Sequence, residues 1–543
     1  MPFHPILKKT ARIGSLILLL SLAGCNNFFN TDPITYDWVS PEPADFWEPP
    51  CFYEPRPCDN IDDGKEFIEL LQTSEVAVAD LIDVALHNNP TTQRTWAEAR
   101  AAAFGVGVAE SLLYPTIDFQ ESITYSDEHL DNPPLPIIIP AAIPGSSSIS
   151  SSGADDVGGT AAAGGNVGQT AAVNQASTTA ASGSFLGYHT VANSNLSVSY
   201  LLLDFGGRCA TIEAAKQALY ESNWIHNRQV QQVIFTVLQE YYVYAGTKAL
   251  LESRYADLKN AETNFEAANQ LYLAGIKNKL DVLQAQSDLV NIQVNIAQLT
   301  GQLKIAYANL ANGLGLSAET EFNIPEFPSD ATLEKVCTGL EKLIEIAKTD
   351  RPDLAAVYAE HERRKAEVIV AWSEGMPTLS AGANLQENIF FQNSSFNNHI
   401  LSGCITLNVP LFAGFLYQNQ TKQARELVRA SCANIRNVEN QVSLDVVTAY
   451  SNLQTSIESL RYSLEFLKFS TEAYNAALAT YKAGISTILD LLLANRNLSA
   501  AKAQVIQSRT GWAIALANVS YATGIIGTSY ENSIKCPLQS KRK

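Results

Sequence analysis

The sequence predicts an α+β membrane protein in which long helices form a coiled-coil barrel and strands form a transmembrane β-barrel. Three observations in the 543-residue chain predict this fold class. The chain contains an internal two-fold repeat, each copy ends in long proline-free segments with heptad spacing, and each copy carries two segments that alternate apolar and polar residues. Four strands per chain are too few to close a barrel, so the fold requires more than one copy.

The first 25 residues have the pattern of an export signal. Three basic residues lie between positions 8 and 12, and the apolar run at 13–22 is too short to span a bilayer. The run leads into Leu22-Ala23-Gly24-Cys25, which is similar to the cleavage box of bacterial lipoproteins. That similarity implies that Cys25 becomes the first mature residue and carries lipid such as palmitate. The alternative is an ordinary signal peptide with a chance cysteine.

Composition argues against several classes of function. With 37 basic and 55 acidic residues the formal net charge is −18, which disfavours a nucleic-acid partner. After residue 25 no run of 18 residues is apolar throughout, so no transmembrane helix is predicted. Cys51 and Cys58 form a disulfide or remain two free thiols, and the other cysteines lack the spacing of a zinc site. No metal site and no cofactor is expected.

Two halves of the chain share landmarks at fixed separations. Pro90 and Pro352 are 262 residues apart, whereas the later pair Gly275 and Gly484 is 209 residues apart. The first copy is therefore 53 residues longer than the second. The extra residues match a tract rich in Ser, Ala and Gly at 131–184, which cannot order itself as a core and is predicted to be an exposed loop.

The domain boundaries follow from this repeat. Each copy is predicted to contain a helix, a β-hairpin and a helical hairpin, over residues 74–315 and 334–527. The first helix of each copy is expected at about 74–113 and 334–375. The remaining segments are an N-terminal linker at 26–73, a linker between the copies at 316–333 and a C-terminal tail at 528–543.

The predicted strands alternate apolar and polar residues with a period of two. Representative apolar positions are Ile117, Phe119 and Leu196 in the first hairpin and Leu401 and Ile405 in the second. Segments of this kind suit a transmembrane barrel, and the alternative is the half-buried sheet of a soluble domain. Because lipid offers no partner to an open sheet edge, spanning strands must close, which takes about eight strands and hence at least two chains.

The predicted helices are the stronger signal. No proline occurs between Pro144 and Pro325 or between Pro410 and Pro537, and a helix over 208–273 would be about 100 Å long. Gly275 can adopt the positive φ that a tight reversal needs. Positions spaced alternately three and four apart predict coiled-coil seams at Leu251, Tyr255, Leu258, Glu262, Phe265, Asn269 and Tyr272, and at Ile457, Leu460, Leu464, Leu467, Thr471, Tyr474, Leu478 and Tyr481.

A repeated motif, Tyr-x-Ala-Gly-Ile-x-x-x-Leu-Asp-x-Leu, begins at Tyr272 and again at Tyr481. With the doubled architecture, it resembles the TolC family of outer-membrane efflux proteins over about residues 74–527. The resemblance implies a homotrimer with a twelve-stranded barrel in outer-membrane lipid and a twelve-helix tunnel across the periplasm. It also implies a periplasmic adaptor protein and an inner-membrane pump as partners.

The resemblance further implies roles for residues beside the two glycine turns. In the closed channel, Asp281 would share an inter-helix hydrogen bond with Tyr481 at a periplasmic gate. Asp490 would point into the constriction and form a three-fold carboxylate ring that attracts cations. The alternative is that Asp281 and Asp490 are solvated carboxylates of the turns.

The chain also departs from the family at these turns. Ser486 stands where the family's prototype has a gating arginine, and Leu493 stands where it has a second acidic residue. We therefore expect a weaker ion-pair latch and a single aspartate ring backed by Leu492 and Leu493. Gly275 and Gly484 are expected at the adaptor-facing tips, and the alternative is that they serve only the turns.

The function expected is that of an outer-membrane channel in a tripartite efflux or type I secretion system. It would conduct substrates from the periplasmic side to the cell exterior while its lipid anchor holds it in the outer membrane. The alternative is a lipid-anchored periplasmic coiled-coil scaffold without a pore, which does not explain the alternating strands. An enzyme is disfavoured because the seven histidines are dispersed and no phosphate-binding glycine loop is found.

Overall fold

The computed structural model describes residues 43–44, 77–128, 187–325, 334–336, 339–391, 397–527 and 535–537. Predicted lipidation at Cys25, the pair Cys51 and Cys58, and the loop 131–184 lie outside these ranges. The chain divides into two compact units. A helical unit contains Met1–Leu113, Asp204–Pro377 and Val409–Lys543, and a sheet unit contains Tyr114–Leu203 and Thr378–Asn408.

The helical unit is dominated by four long helices. In the first half of the chain the helices are α1 (Val78–Asn88), α2 (Pro90–Glu110), α3 (Gly207–Leu273) and α4 (Lys279–Gly313). In the second half they are α5 (Leu340–Asp350), α6 (Pro352–Ser373), α7 (Leu416–Lys482) and α8 (Ile488–Ala522). Helices α3 and α7 contain 67 residues each, and α4 and α8 contain 35 each.

Each first helix that the sequence predicts is in fact two helices. The first is divided between α1 and α2, and the second between α5 and α6. The residue at each break, Asn89 or Arg351, is extended with a ψ of 121°. Pro90 and Pro352 follow and occupy the first helical position. Proline has no N–H to donate and disfavours helical geometry in the residue before it, so the expectation of one uninterrupted helix is wrong.

The residues at these two breaks donate hydrogen bonds to the C-terminal ends of α4 and α8. The Asn89 side-chain amide donates to the carbonyl of Gly313 at 3.0 Å. At the corresponding place in the second half, the buried Arg351 guanidinium donates to the carbonyl of Ala522 at 3.3 Å and pairs with Asp445 at 2.9 Å. The ends of α4 and α8 are thus fixed by the residue that precedes each proline.

The sheet unit is one antiparallel sheet with the order β1-β2-β4-β5. Its strands are β1 (Thr116–Glu128), β2 (Gly187–Leu203), β4 (Thr378–Phe390) and β5 (Asn398–Asn408). A separate short pair joins β3 (Glu334–Val336) to β6 (Lys535–Pro537), a contact that the sequence did not predict. Among the described residues, β1 and β5 each pair along one side only.

One face of the four-stranded sheet is mostly apolar, interrupted by one polar row of Glu121, Ser194, Glu387 and His399. Phe119 pairs with Leu196, Leu196 with Leu385, and Leu385 with Leu401, so four apolar residues stand in one row across the sheet. Their exposed fractions in the single chain run from 39% to 78%. The predicted alternation is confirmed, and this face is more exposed than the buried side of a soluble sheet.

The buried stripe of α3 differs from the predicted seam by one residue. Tyr255, Glu262 and Tyr272 are exposed. The buried positions come one residue before predicted ones: Asp257, Ala261, Asn264 and Ala268. The prediction followed large apolar side chains, whereas helices that approach closely require small ones. A Cβ on Gly246 of α3 would lie 2.3 Å from the Thr510 hydroxyl of α8, which shows how closely these helices pack.

The predicted seam of α7 is correct at three of its positions and wrong at one. Leu460, Tyr474 and Tyr481 are buried, whereas Leu464 is exposed and Ser463 lies in the core instead. None of the helices in the described ranges is long and apolar enough to cross a membrane.

Candidate functional site

The first helical hairpin reverses at Gly275, which has a φ of 73°. The Gly275 N–H donates to the carbonyl of Tyr272 at 2.9 Å, and the Ile276 N–H donates to that of Leu271 at 3.0 Å. This pair of bonds ends the helix in a Schellman motif, which strongly favours glycine at the left-handed position.

The second hairpin reverses in the same way. Gly484 has a φ of 76°, its N–H donates to the carbonyl of Tyr481 at 2.9 Å, and the Ile485 N–H donates to that of Thr480 at 3.0 Å. The two copies of the sequence motif therefore form the same turn, as the glycine positions predict.

Both predicted gate aspartates occupy the third position of the helix that follows. The Asn278 side chain accepts from the Asp281 N–H at 3.1 Å. Thr487 and Asp490 form a reciprocal capping box, in which the Asp490 carboxylate accepts from the Thr487 N–H at 3.1 Å and from its hydroxyl at 2.6 Å. Anions are favoured in a first helical turn, so each carboxylate also stabilises its helix.

Asp490 is fully exposed at the start of α8. The hydrogen bonds from the Thr487 hydroxyl and then from its backbone lower the pKa of the Asp490 carboxyl below its usual value. The group is therefore charged at neutral pH, as a role in cation attraction requires.

The two turns lie side by side. The Lys277 ammonium of the first turn donates to the main-chain carbonyl of Ser486 in the second at 3.1 Å. It also lies 5.6 Å from the centre of the Tyr481 ring. A Cβ on Gly484 would be 3.9 Å from the Cγ2 of Ile276. These contacts bring together residues of both repeats, as the resemblance implies.

Lys277 was not among the predicted site residues. It occupies the position in the first turn that Ser486 occupies in the second, 209 residues later. At Ser486 itself the sequence lacks the arginine of the family's prototype. The signal that could have identified the residue is a basic side chain, Lys277, at the position of the first turn that corresponds to Ser486.

Tyr481 is completely buried, and its hydroxyl has no hydrogen-bond partner within the described part of the chain. Burial, and then the charge of nearby Asp281, raise the pKa of this phenol to about 12. The hydrogen bond between Asp281 and Tyr481 that the resemblance implies is therefore not formed in this structure, and it stays a prediction for the closed channel.

Leu492 and Leu493, the second and third residues after Asp490, have different surroundings. Leu492 is buried in an apolar cluster with Tyr474, Tyr481 and Leu491, whereas Leu493 is 60% exposed. In the single chain Leu492 faces the core of its own hairpin, and the expectation that both leucines back the aspartate ring stays a prediction for the assembled channel. Successive helical residues differ by about 100° in direction, which separates the two.

Buried charges join the two hairpins farther from the turns. Asp257 of α3 is 1% exposed and pairs with Lys502 of α8 at 2.9 Å and with Arg254 at 3.0 Å. Asp288 of α4 is also buried and lies 3.4 Å from the Arg496 guanidinium of α8. Because such pairs are costly to break once buried, they fix the register of α8 against the first hairpin.

Comparison with known proteins decides the family. The profile of the outer membrane efflux protein family matches residues 81–316 and 343–525, which is most of the chain. The chain belongs to the outer membrane efflux protein family. It is thus an outer-membrane efflux or secretion channel rather than an enzyme.

Individual members of this family align over most of their length. The chain is 26% identical over 422 residues to Protein CyaE of Bordetella pertussis, covering 76% of this chain and 73% of that protein. Its fold is similar to that of the outer-membrane channel OprN, with a TM-score of 0.65, 16% identity, and coverage of 85% of this chain and 91% of OprN. The outer membrane protein VceC of Vibrio cholerae gives a TM-score of 0.65 at 15% identity, covering 82% of this chain and 96% of VceC.

Proposed function

We propose that three copies of the chain assemble into one channel that conducts substrates from the periplasmic side to the cell exterior. The observation that carries this proposal is the four-stranded sheet, which has one exposed and mostly apolar face and two edges without a partner strand among the described residues. In lipid the edges must pair, and four strands are too few to close. Pairing of β1 with β5 of the next copy would close a barrel of twelve strands in a trimer.

The matched elements support an internal repeat as the basis of this assembly. The long helices have equal lengths in the two halves, and each half supplies one β-hairpin to the sheet. We place the repeats at residues 74–315 and 334–527, as the sequence predicts. Six similar helical hairpins would then line the tunnel, two from each chain.

The candidate gate lies at the two glycine turns. Asp490 is charged and fully exposed, as a carboxylate in a selectivity ring must be. The charge of Asp281 contributes to the raised pKa of the Tyr481 hydroxyl, which supports pairing these two residues in the closed channel. Asp490 is thus assigned to the ring, and Asp281 and Tyr481 to a closed-state contact.

The tips of the turns fit a docking role. Ile276 and Ile485, which follow the two glycines, are 60% and 79% exposed. Small and aliphatic residues at a turn permit close packing against another coiled-coil tip. We assign Gly275 and Gly484 with these isoleucines to a periplasmic adaptor, which would connect the channel to an inner-membrane pump in a tripartite efflux or type I secretion system. The lipid on Cys25 would anchor each chain in the outer membrane.

Conductance in a planar bilayer tests the channel. The purified protein should run as a trimer in detergent and form cation-preferring pores, and Asp490→Asn should lower cation selectivity because the amide keeps the capping acceptor without the charge. Glu472→Gln, an exposed residue of α7 two turns from the site, is the matched control. A soluble monomer without conductance would instead favour the lipid-anchored scaffold.

Photo-crosslinking in cells tests the partners. A crosslinker at Ile485 should capture an adaptor protein, whereas one at the exposed Tyr462 in the middle of α7 should not. Equal capture at both positions would contradict an adaptor site at the turns.

A further inference from the structure

Lys277 is the only side chain, among those described, that donates a hydrogen bond from one glycine turn to the other. Its ammonium lies 3.1 Å from the Ser486 carbonyl and 5.6 Å from the centre of the Tyr481 ring. The side chain is half-buried, whereas Lys279, two residues later, is exposed. The amine is therefore held between the turns rather than extended into solvent.

The acceptor of this bond carries no formal charge. Ser486 follows the Schellman turn at the C-terminal end of α7, where the helix presents its negative dipole end. The face of an aromatic ring is a second favourable neighbour for an ammonium group. Among the described residues no carboxylate forms an ion pair with Lys277, so a carbonyl and a ring together replace the usual anion.

We infer that Lys277 locks the two turns of one chain together and thereby limits how far the tips separate when the channel opens. The inference rests on the proposed channel function. Lys277 acts as a positioning residue, because it holds Tyr481 and the backbone before Asp490 rather than contacting the transported substrate. Each chain carries its own lock, so release in one chain does not require a neighbouring copy.

This lock differs physically from a carboxylate latch. A latch between exposed opposite charges weakens as salt rises from about 0.1 M to about 1 M, since the Debye length falls from about 10 Å to about 3 Å. It also fails when its carboxylate is protonated. A bond to a backbone carbonyl lacks that second charge, so the closed state should persist in high salt and in mild acid.

The two turns carry charges of both signs. Lys277, Lys279 and Lys482 stand near the turns with Asp281 and Asp490, so the strong negative charge of the whole chain does not extend there. Lys277 is occupied by its carbonyl bond. Because the Ser486 carbonyl is uncharged, the ammonium keeps its positive charge whether the lock is closed or released.

Three variants and two measurements test the inference. Lys277→Met keeps the length of the side chain and removes its charge and donor, Lys279→Met removes a neighbouring charge, and Lys277→Arg retains both charge and donor. Hydrogen exchange at the last turns of α3 and α7 reports separation of the turns. Single-channel recording reports the ratio of open to closed time.

We expect Lys277→Met to speed exchange at both turns and to raise the open-to-closed ratio by at least about ten-fold, in line with loss of one charge-assisted hydrogen bond in each chain. Lys279→Met should behave as the wild type. Lys277→Arg should keep both the exchange rate and the open-to-closed ratio close to those of the wild type. The wild-type ratio should change less than about two-fold between low and high salt.

Failure of the inference and failure of the proposed function are distinguishable. If the wild type conducts and Lys277→Met matches Lys279→Met in both measurements, the lock is refuted. A steep rise in opening with salt would also refute it, because it would reveal a carboxylate latch. If neither the wild type nor any variant conducts, the channel function fails, and exchange at the turns still decides whether Lys277 joins them.

Discussion

The buried hydroxyl of Tyr481 predicts that its removal stabilises the protein. Tyrosine and phenylalanine differ only in this group, and the ring packs against Tyr474, Leu491 and Leu492 in either case. The hydroxyl is buried without a hydrogen-bond partner in the described chain. Leaving such a group unsatisfied costs about 1–3 kcal/mol, so Tyr481→Phe should stabilise the turn by about 1 kcal/mol rather than weaken it.

Tyr474 provides the matched control on the same helix. It is also buried, but its hydroxyl donates to the side-chain oxygen of Asn264 on α3 at 3.3 Å. Tyr474→Phe breaks that bond and leaves the Asn264 oxygen unsatisfied as well, which should cost about 1–2 kcal/mol. Two identical substitutions, seven residues apart, should therefore shift stability in opposite directions.

Amide hydrogen exchange measures both effects locally. A change of about 1 kcal/mol alters a local opening equilibrium about five-fold, so exchange near the α7–α8 turn should slow in Tyr481→Phe and quicken in Tyr474→Phe. Faster exchange in Tyr481→Phe would refute the reasoning. It would mean that the hydroxyl is bonded in solution, as the closed-state contact with Asp281 requires.

Three further predictions concern the packing of the helices. Gly524→Ala should lower the free energy of unfolding by about 2 kcal/mol more than Gly275→Ala in thermal unfolding, because its Cβ would lie 2.9 Å from the Arg351 backbone whereas nothing lies within 4 Å at Gly275. Equal destabilisation by the two variants would show that backbone strain alone matters. Arg351→Met should destabilise the helical unit by on the order of 3 kcal/mol in thermal unfolding, since it leaves Asp445 unpaired, and a neutral result would contradict a structural role for the pair. Burial, and then the neighbouring tyrosine, raise the pKa of Tyr241 to about 12 against 10.0 for the free group. Because Tyr241 ionises at lower pH in the unfolded chain, its contribution to the free energy of unfolding is intact below pH 10 and is lost as pH rises to about 12. Tyr241→Phe should therefore reduce the loss of stability at alkaline pH, measured by unfolding followed by circular dichroism. An unchanged pH dependence would contradict the raised pKa of Tyr241.

The long helices and the strand pattern could be predicted because each depends on periodicity alone. A run without proline and with heptad spacing has few other structures available, and α3 begins and ends within a residue or so of its predicted bounds. The glycine turns were also predictable, since a left-handed position at a helix end strongly favours glycine. The repeated motif is sufficient to locate both turns from the sequence alone.

Other features depend on contacts between distant segments. The division at Pro90 could have been predicted from the sequence, because proline disfavours helical geometry in the residue before it. The buried stripe of α3 contains Asp257 and Asn264, which resemble exposed residues until α7 and α8 are placed against them. Lys277 finds its partner, Ser486, 209 residues away. Periodicity along one helix cannot reveal a neighbour contributed by another.

The equal lengths of the paired helices have a consequence for how such a chain can change. One extra residue in α3 alone would raise its turn by about 1.5 Å and rotate it by about 100°. Lys277 would then point away from Ser486, and Asp257 would no longer face Lys502. A longer or shorter version of this protein must therefore gain or lose residues in both hairpins together, in steps that preserve the heptad, so the two halves can only evolve in length as a matched set.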